Sequence, residues 1–509
     1  MTISSPKGYE DEAALGRALD DFAAELGSDA VLTGEEDLAE FRDPFWVMGS
    51  DEHDASAVVV PKSVEEVRAV VRVANRHKVP LWTFSTGRNY GYGGAAPRVR
   101  GSVLVNLREM NKVLEIDEDL AYAVVEPGVR WFDLIEALEA AGGRLWSSIP
   151  DLGWGSVIGN SLEYGRGHTR LGSHASNIAG LEVVLPDGDL MRTGMGAMSG
   201  GKSWHAYPHA FGPSLDGLFM QSSLGIVTKL GWRLMPRPET YISCNLRFDG
   251  DEKLAPVCDA MRGLMLDGTV SNYPFLGRGV VADENGNPDL DPTSEAWAMR
   301  YAIYGYPEVA EAQLRIAERV LGAIDGVELE HRTYRGDDRE GPDKGIHDDR
   351  VQAGIPGMEL LDLYKVPFGP DTGHLDFSPV GPLRGEEVVS TVKLVRSLYD
   401  RLGQVYAAGL LLLPRSILHI SVSFFDPKDE AATRAIYDAY PVMVEELAKI
   451  GYPIYRTNIR NMDVVASQLD FNDHAFRRVN ERLKDALDPN GILQPGKQGI
   501  WPRGLRPEG

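Results

Sequence analysis

A glycine-rich stretch at residues 83–94, TFSTGRNYGYGG, constrains the fold more than any other feature of the chain. It follows apolar residues 79–82, which predict a strand leading into it. Gly87, Gly91 and Gly93 allow positive φ angles and a close backbone approach to a ligand. Successive backbone N–H groups in such a turn can bind an anion. The stretch therefore predicts a binding loop for a phosphate-bearing ligand, with a flexible surface loop as the alternative.

The pattern differs from two common phosphate-binding motifs. It lacks the Gly-Lys-Ser/Thr ending of a P-loop, and no clear helix follows it as in a Rossmann turn. From these residues alone, the inference ends at a phosphate-bearing cofactor.

Size and charge limit the possible classes of protein. With 509 residues, the chain is too long for one hydrophobic core, so we expect two or more domains. Its net charge of −23 argues against a nucleic-acid binder, which would carry a basic face. The charge is compatible with an enzyme that takes small neutral or anionic substrates through a local basic site.

Cys244 and Cys258 are the only cysteines in the sequence. They lack metal-site spacing with histidines and make no disulfide framework, so we expect buried, reduced thiols and no metal. No apolar run is long enough to span a membrane, and residues 1–22 lack the pattern of a signal peptide. These features predict a cytoplasmic protein.

Alternating helical and β-type patterns predict an α+β fold. Ser63 before an acidic turn is typical of a helix start, and the turn at residues 186–188, PDG, predicts a hairpin. The predicted helices are 10–26, 64–77, 131–138, 308–321, 385–402 and 477–487. The predicted strands are 57–61, 79–82, 102–106, 121–125, 180–185, 189–192 and 419–425, and residues 222–228 run into a further strand.

Prolines at residues 235–238, MPRP, indicate a domain boundary. We therefore divide the chain into residues 1–238, 239–450 and a C-terminal segment, 451–509. Residues 331–354 are rich in charge and poor in apolar side chains, which predicts an exposed or mobile loop.

Residues 148–160, SIPDLGWGSVIGN, are dense in turn-forming residues. Pro-Asp followed by Gly-x-Gly favours tight turns, and an Asx turn is a sufficient explanation for Asp151 from the local sequence alone. Gly165 and Gly167 flank His168 in a similar way.

A series of short motifs resembles the vanillyl-alcohol oxidase family of flavoproteins, and within it the 4-phenol oxidases. Each motif is weak alone, but their number and order along nearly the whole chain carry the resemblance, which is weakest between residues 239 and 354. The matching segments are residues 87–89, 91–97, 125–129, 150–153, 192–197, 225–229, 373–379, 455–457 and 488–492.

The resemblance implies an FAD-binding domain of two α+β subdomains, an α+β cap domain over the flavin ring, and a C-terminal segment that returns to the first domain. The glycine-rich stretch would then hold the FAD pyrophosphate. The residues implied to bind the cofactor are Ser85, Thr86, Gly87, Arg88, Asn89, Tyr90, Gly91, Pro150, Gly153, Ser156, Gly159, Asn160, Gly225, Ile226, Val227 and Lys497.

Residues 373–379, GHLDFSP, match the segment through which family oxidases attach FAD covalently. The resemblance therefore implies a covalent link at His374, because a neutral imidazole nitrogen can add to the activated methyl carbon of the flavin. Such a link raises the redox potential of the flavin. Without the motif, a satisfied core histidine is the alternative.

Tyr92, Tyr455 and Arg456 match the phenolate-binding residues of the family. Two phenolic donors and a guanidinium stabilise an oxyanion better than a neutral phenol. The resemblance implies that the bound phenolate releases a hydride from its benzylic carbon to flavin N5, which leaves a para-quinone methide. Asp151 matches the acid/base residue that activates water for attack on this intermediate.

Three departures lie near the expected substrate cavity. His168 stands where family oxidases often have tyrosine, Leu418-His419 replaces a His-His pair, and residues 366–371 lengthen the chain before the linking histidine. The His168 change suggests room for an extra methoxy group or a longer side chain. His53 is a guess, by position only, for the histidine that assists flavin attachment in some relatives.

The leading hypothesis is an FAD-dependent oxidase of para-substituted phenols, with O₂ as acceptor and H₂O₂ as co-product. The substrates would be 4-alkylphenols, 4-hydroxybenzyl or 4-hydroxycinnamyl alcohols and lignin-derived guaiacyl or syringyl compounds. Alternatives are a dehydrogenase that passes electrons to a cytochrome, a carbohydrate or hydroxy-acid oxidase, and a binding protein that retains the fold. The family also implies a homo-oligomer, a dimer or higher.

Overall fold

The computed structural model describes residue 9 and residues 11–282, 288–291, 294–336, 338, 340–365 and 367–506. Its described strands form three larger sheets and two two-stranded ones. The α+β fold predicted from the sequence is confirmed. Glu10, at the start of the first predicted helix, and Val366, in the lengthened segment, lie outside the described residues.

The first sheet has four strands and contains the strand that leads into the glycine-rich stretch. Its order is Val31–Leu32, Ala57–Val59, Val103–Asn106 and Leu81–Phe84, with the last three parallel. The hydroxyl of Ser63 accepts the Glu66 N–H at 3.3 Å and caps the helix Val64–His77, as predicted. Buried valines of this helix share one core with the strands and with the helix Glu12–Leu26.

The glycine-rich stretch begins at the carboxyl end of Leu81–Phe84, the edge at which parallel sheets bind ligands. Gly87 and Gly93 have φ angles of +67° and +98°, which side chains rarely adopt. Between them the chain makes a short 3₁₀ turn, Tyr90–Tyr92. The C-terminal segment extends the same sheet, since the Leu81 N–H donates to the Ile492 carbonyl at 2.7 Å.

The second sheet is antiparallel, in the order Val113–Asp117, Tyr122–Val125, Ile226–Arg233, Ile178–Val184 and Leu190–Arg192. The last two strands form the predicted hairpin. The helices Trp131–Ala140 and Val157–Leu162 pack their buried side chains against this sheet.

The third sheet has eight antiparallel strands, all from the middle of the chain. Glu328–Arg335, Thr240–Asp249, Ala296–Gly305, Phe275–Arg278, Ala408–Leu412, Ser416–Phe425 and Gly373–Phe377 follow one another across it, and Val380–Pro382 also pairs with Ser416–Phe425. The helices Leu254–Leu266, Pro307–Leu321, Gly385–Arg401 and Glu430–Lys449 share its core. This strand pairing supports the division at residues 238 and 450, which stays a prediction.

The remaining described helices are shorter or lie near the ends of the chain. They are Glu35–Ala39, His347–Gln352, Leu360–Lys365, Met462–Ser467 and Phe471–Leu487. The two-stranded sheets pair Leu145–Trp146 with Met235–Pro236 and Val280–Ala282 with Pro288–Leu290.

The prediction of an exposed loop at residues 331–354 is wrong for much of that segment. Its first part completes the strand Glu328–Arg335, and its last part contains the helix His347–Gln352, where His347 and Asp349 are buried. The charges that suggested exposure are paired instead, because Arg332 contacts the Asp349 carboxylate at 2.7 Å.

Both cysteines are free and buried, as predicted. Among the described residues, the helices are all too short or too polar to cross a membrane.

Candidate active site

A cavity of about 390 Å³ lies against the glycine-rich stretch. It reaches from the first two sheets to residues of the C-terminal segment. The residues predicted from the sequence that line it are Ser85, Thr86, Gly87, Arg88, Asn89, Tyr92, Pro150, Asp151, Ser156, Gly159, Asn160, Gly225, Ile226, Val227, Arg456 and Lys497.

Other described residues of the predicted site lie behind this wall. Gly153 packs on the ring of Phe132, since a Cβ atom there would overlap that ring. The ring of Tyr90 contacts Trp154, with centroids 5.4 Å apart. Gly91, His168, His374, Leu418 and Tyr455 do not line the cavity either.

Tyr92, Tyr455 and Arg456 meet where the glycine-rich stretch touches the C-terminal segment. Gly93 packs closely on Ile459, which brings the two loops together. The Arg456 guanidinium carbon lies 5.1 Å from the ring centre of Tyr92 and 6.0 Å from that of Tyr455. The structure therefore assembles the three residues that the resemblance named, although 363 positions separate the first two.

Burial and charge fix the protonation of this group. Burial, with the nearby Asp376 carboxylate, raises the pKa of Tyr92 well above its ordinary value. Burial alone would lower the pKa of Arg456, but the two tyrosines and Glu163 outweigh it and raise the pKa. Tyr92 is therefore a neutral O–H donor and Arg456 a cation, both suited to an oxyanion.

Asp151 lies in a buried cluster of three basic side chains. His347 Nε2 is 2.5 Å from its Oδ1, and an Arg300 nitrogen donates to its Oδ2 at 2.9 Å. His168 Nε2 lies 3.5 Å from the same Oδ2 and 3.3 Å from Arg300. The carboxylate thus makes two short ion pairs and one longer contact.

The charges of this cluster outweigh its burial. Burial would raise the pKa of Asp151, but His347 and Arg300 hold it well below its usual range. In return, Asp151 overcomes the desolvation of His347 and raises its pKa to about 9. Burial and the Arg300 charge lower the pKa of His168. At neutral pH the cluster therefore holds a carboxylate, two cations and a neutral histidine.

A second layer of charges supports Arg300 and His347. Asp348 accepts a hydrogen bond from Arg300 at 2.9 Å and one from Asn245 at 2.8 Å. Arg332 donates to the Asn245 side chain at 2.5 Å and to Asp349 at 2.7 Å. The network runs from Asp151 through three strands and the helix His347–Gln352, so the third sheet positions the acid/base candidate.

A row of side chains on one face of the third sheet, here called the Phe275 wall, lies beside Asp151 and outside the lining of the 390 Å³ cavity. Arg300 pairs with Phe275, Phe275 with Leu411, and Leu411 with Leu418 on neighbouring strands, so all four lie on one face. The Arg300 guanidinium stacks on the Phe275 ring at 4.8 Å, and the His168 ring meets Phe275 edge-on at 6.0 Å. Of the departures from the family pattern, Leu418 thus belongs to the Phe275 wall and His168 packs against it.

Comparison with known proteins decides the family. Residues 55–194 match the model of the FAD binding domain. The chain is 32% identical over 517 residues to the 4-cresol dehydrogenase (hydroxylating) flavoprotein subunit of Pseudomonas putida, covering 97% of each chain. The protein belongs to the vanillyl-alcohol oxidase/p-cresol methylhydroxylase family. It is therefore an FAD-dependent phenol oxidoreductase by family.

Solved structures of this family superpose on nearly the whole chain. The 4-ethylphenol oxidase from Gulosibacter chungangensis, in complex with isoeugenol, matches with a TM-score of 0.90 and 34% identity, covering 99% of this chain and 100% of that one. p-Cresol methylhydroxylase with substrate bound matches with a TM-score of 0.89 and 29% identity, covering 97% and 98%.

The cavity suits the FAD that this family binds. Gly87 and Gly94, with φ angles of +67° and +60°, turn the backbone along its wall. A Cβ atom at Gly159 would overlap the Ser85 hydroxyl, so glycine is needed for the wall to close there. Lys497 places a cation on the same wall, where it pairs with Glu163 at 2.7 Å.

Sequence reasoning missed Arg300 and His347, which contact the acid/base candidate Asp151 directly. Arg300 had a signal, since a lone charge inside the apolar strand Ala296–Gly305 must be paired when buried. His347 had none, because its neighbours Asp348, Asp349 and Arg350 made the segment resemble a solvated loop.

Proposed function

We propose that this protein is an FAD-dependent oxidase of para-substituted phenols, with O₂ as the electron acceptor and H₂O₂ as co-product. The observation that carries the proposal is the Arg456 guanidinium over the rings of Tyr92 and Tyr455. A buried cation beside two phenol groups is suited to a phenolate and has no evident use in an oxidase of sugars or hydroxy acids.

The three residues bind the phenol oxygen and hold it as an anion. Arg456 contributes positive charge in a buried site, where charge interactions are stronger than in water. Tyr92, kept protonated by its surroundings, donates a hydrogen bond to the same oxygen, as does Tyr455. The resulting phenolate is more electron-rich, and hydride departure from its benzylic carbon becomes easier.

Bound FAD supplies the acceptor for that hydride. Asp151 remains a carboxylate on the cavity wall, where its charge stabilises the electron-poor benzylic carbon and its oxygen accepts a proton from attacking water. Arg300 and His347 hold this carboxylate in place. We also propose His374 as the covalent attachment point, which keeps the cofactor in the cavity between turnovers.

The proposed substrates are 4-alkylphenols, 4-hydroxybenzyl and 4-hydroxycinnamyl alcohols, and lignin-derived guaiacyl and syringyl compounds. The relative crystallised with isoeugenol supports this class. His168, beside Phe275 on the wall, has a smaller ring system than tyrosine, which favours substrates with an extra ring substituent.

A dehydrogenase that passes electrons to a cytochrome is the second candidate. The identity to the 4-cresol dehydrogenase subunit favours it. The proposed histidine link favours the oxidase.

Peroxide formation in air tests the proposal against the second candidate. A 4-alkylphenol and its O-methyl ether are given to the holoenzyme without an added acceptor. One H₂O₂ per phenol oxidised, with no reaction of the ether, would support an oxidase that needs the phenolate. Turnover only with an added electron acceptor would favour the dehydrogenase.

A further inference from the structure

Asp376 lies two residues after His374 on the strand Gly373–Phe377. Because side chains alternate along a strand, both point to the same face of the third sheet. Oδ2 of Asp376 is 3.4 Å from Nδ1 of His374. Within the described part of the chain, this histidine is the only ion-pair partner of Asp376.

Nδ1 of His374 is buried and has no hydrogen-bond partner among the described residues. Aromatic rings hold the imidazole on two sides, since the ring centres of Phe45 and Tyr364 are each 4.8 Å from its own. The ring therefore has little freedom to turn towards another acceptor, and the nearby carboxylate is the group within reach of Nδ1.

Gly91 closes over this pair. A Cβ atom at that position would overlap both the Asp376 carboxylate and the His374 ring. The glycine-rich stretch thus contacts the His374–Asp376 pair directly. Because neighbouring residues of the same stretch line the cofactor cavity, this contact places the pair next to the cavity wall. No room is left beside the carboxylate for a longer side chain.

We propose that Asp376 positions His374 for covalent attachment of FAD by accepting a hydrogen bond from its Nδ1–H. This inference rests on the proposed link at His374. A proton on Nδ1 leaves the lone pair of Nε2 free to react, and a carboxylate partner fixes this tautomer. Asp376 is a positioning residue, because the reacting atom is Nε2.

The attachment step also places a positive charge on the imidazole. A bond forms between Nε2 and the 8-methyl carbon of FAD, and one C–H bond of that methyl group breaks, with loss of its proton. The alkylated ring then loses the Nδ1 proton, and the two electrons left on the flavin pass to dioxygen, giving H₂O₂. Asp376 stabilises the cationic ring until the Nδ1 proton leaves.

His53 was suggested by its sequence position as the histidine that assists flavin attachment. It is not placed to accept a hydrogen bond from Nδ1 of His374. Its Nδ1 lies 2.9 Å from the Pro97 carbonyl and its Nε2 lies 3.2 Å from Arg460. Burial, with the charge of Arg460, lowers its pKa to about 3. Both nitrogens are therefore occupied, and no described contact joins His53 to His374.

The test measures how fast FAD becomes acid-stable on the protein in air. Wild type, Asp376→Asn, His374→Ala and Asp251→Asn are prepared free of flavin, FAD is added, and samples are precipitated with acid at intervals. The fraction of bound FAD that stays with the protein is read by its fluorescence. Asp251 is the matched control. It is a half-buried carboxylate beside the third sheet, and it accepts hydrogen bonds from Trp297 and Arg396, not from a histidine.

Asp376→Asn is expected to bind FAD but to attach it covalently about tenfold more slowly than wild type. Removing a carboxylate that supports a functional histidine typically has an effect of at least this size. Its rate should rise with pH, because a base from solvent must then take the Nδ1 proton. Wild type and Asp251→Asn should be fast and nearly independent of pH.

Equal attachment rates and pH profiles for Asp376→Asn and wild type would overturn the inference while leaving the link at His374 intact. Acid-released FAD in wild type would overturn both. Phenol oxidation is measured separately, by flavin bleaching, and does not require the covalent bond. Failure of the proposed oxidase function is therefore distinguishable from failure of the inference about Asp376.

Discussion

Nε2 of His347 lies 2.5 Å from Oδ1 of Asp151, with the histidine buried and the aspartate side chain 11% exposed. The two come from segments 196 positions apart in the sequence, one a turn before the helix Val157–Leu162 and the other the first residue of the helix His347–Gln352. A parallel bridge between Leu152 and Gly357 holds the two segments together. The acid/base candidate Asp151 thus depends on His347, which lies in a helix beside the third sheet.

His347→Gln should change how stability depends on pH. The pKa of His347 is raised to about 9 from an ordinary 6.5, so its ion pair contributes fully below about pH 6.5 and is lost as pH rises through about 9. The difference in unfolding free energy between wild type and variant should shrink over that window by on the order of 3 kcal/mol. Urea unfolding at a series of pH values measures it.

The matched control for that series is His419→Gln. His419 is equally buried, bonds Tyr406 at 2.8 Å, and burial lowers its pKa to about 3. It is neutral throughout the window, so its variant should show a constant difference from wild type. A constant difference for His347→Gln as well would mean that His347 is not charged beside Asp151.

Asp151→Asn should lower kcat by about 100-fold, the lower end of what general acid–base groups contribute. It also leaves Arg300 and His347 without their shared counter-charge, so a loss of stability is expected. Single-turnover rates with a 4-alkylphenol give the effect on the chemical step, and Asp251→Asn serves as control. Unchanged rates in Asp151→Asn would remove this residue from the mechanism.

Arg456→Lys should reduce the rate of flavin bleaching by about 100-fold, since removing one oxyanion donor has effects of that size. Lysine keeps the charge but lacks the planar guanidinium that lies over both tyrosine rings. Binding of 4-nitrophenol reports the protonation state directly, because its phenolate is yellow. Wild type should bind 4-nitrophenol as the yellow phenolate even at pH values below the pKa of free 4-nitrophenol.

Tyr452→Phe is the control for that experiment, as its hydroxyl donates to Glu387 at 2.6 Å. It should bind 4-nitrophenol as wild type does. If Arg456→Lys also binds it as the phenolate, with an unchanged bleaching rate, the proposed role of Arg456 is excluded.

His168→Tyr should weaken the proposed preference for substrates with an extra ring substituent. The longer side chain would extend along the wall formed by Phe275 and Arg300. The ratio of kcat/KM for a syringyl over a guaiacyl substrate should fall by about tenfold, as one clashing group in a pocket costs this much selectivity. Equal ratios in the two proteins would show that His168 does not set this preference.

Local sequence was enough for the elements whose signals are local. Ser63 and its acidic turn marked a helix, the turn at residues 186–188 marked a hairpin, and the glycines marked the binding loop. The proposed phenolate-binding residues could be named only from a resemblance, because Tyr92 and Arg456 meet only through long-range packing.

The charged residues around Asp151 could not be predicted from the sequence, for a physical reason. A run of charges is usually solvated, and only the fold reveals that Asp348 and Asp349 are neutralised by Arg300 and Arg332. The same applies to His374 and Asp376, whose spacing is visible in the sequence but whose burial beside Gly91 is not.

The most direct test of the central claim is anaerobic mixing of the purified holoenzyme with 4-ethylphenol, followed by air. The proposed function predicts that the flavin bleaches at once and recovers in air with one H₂O₂ formed per flavin. Bleaching without recovery would point to a dehydrogenase with another electron acceptor. No bleaching with any 4-alkylphenol would contradict the claim that Tyr92, Arg456 and Asp151 carry out phenol oxidation.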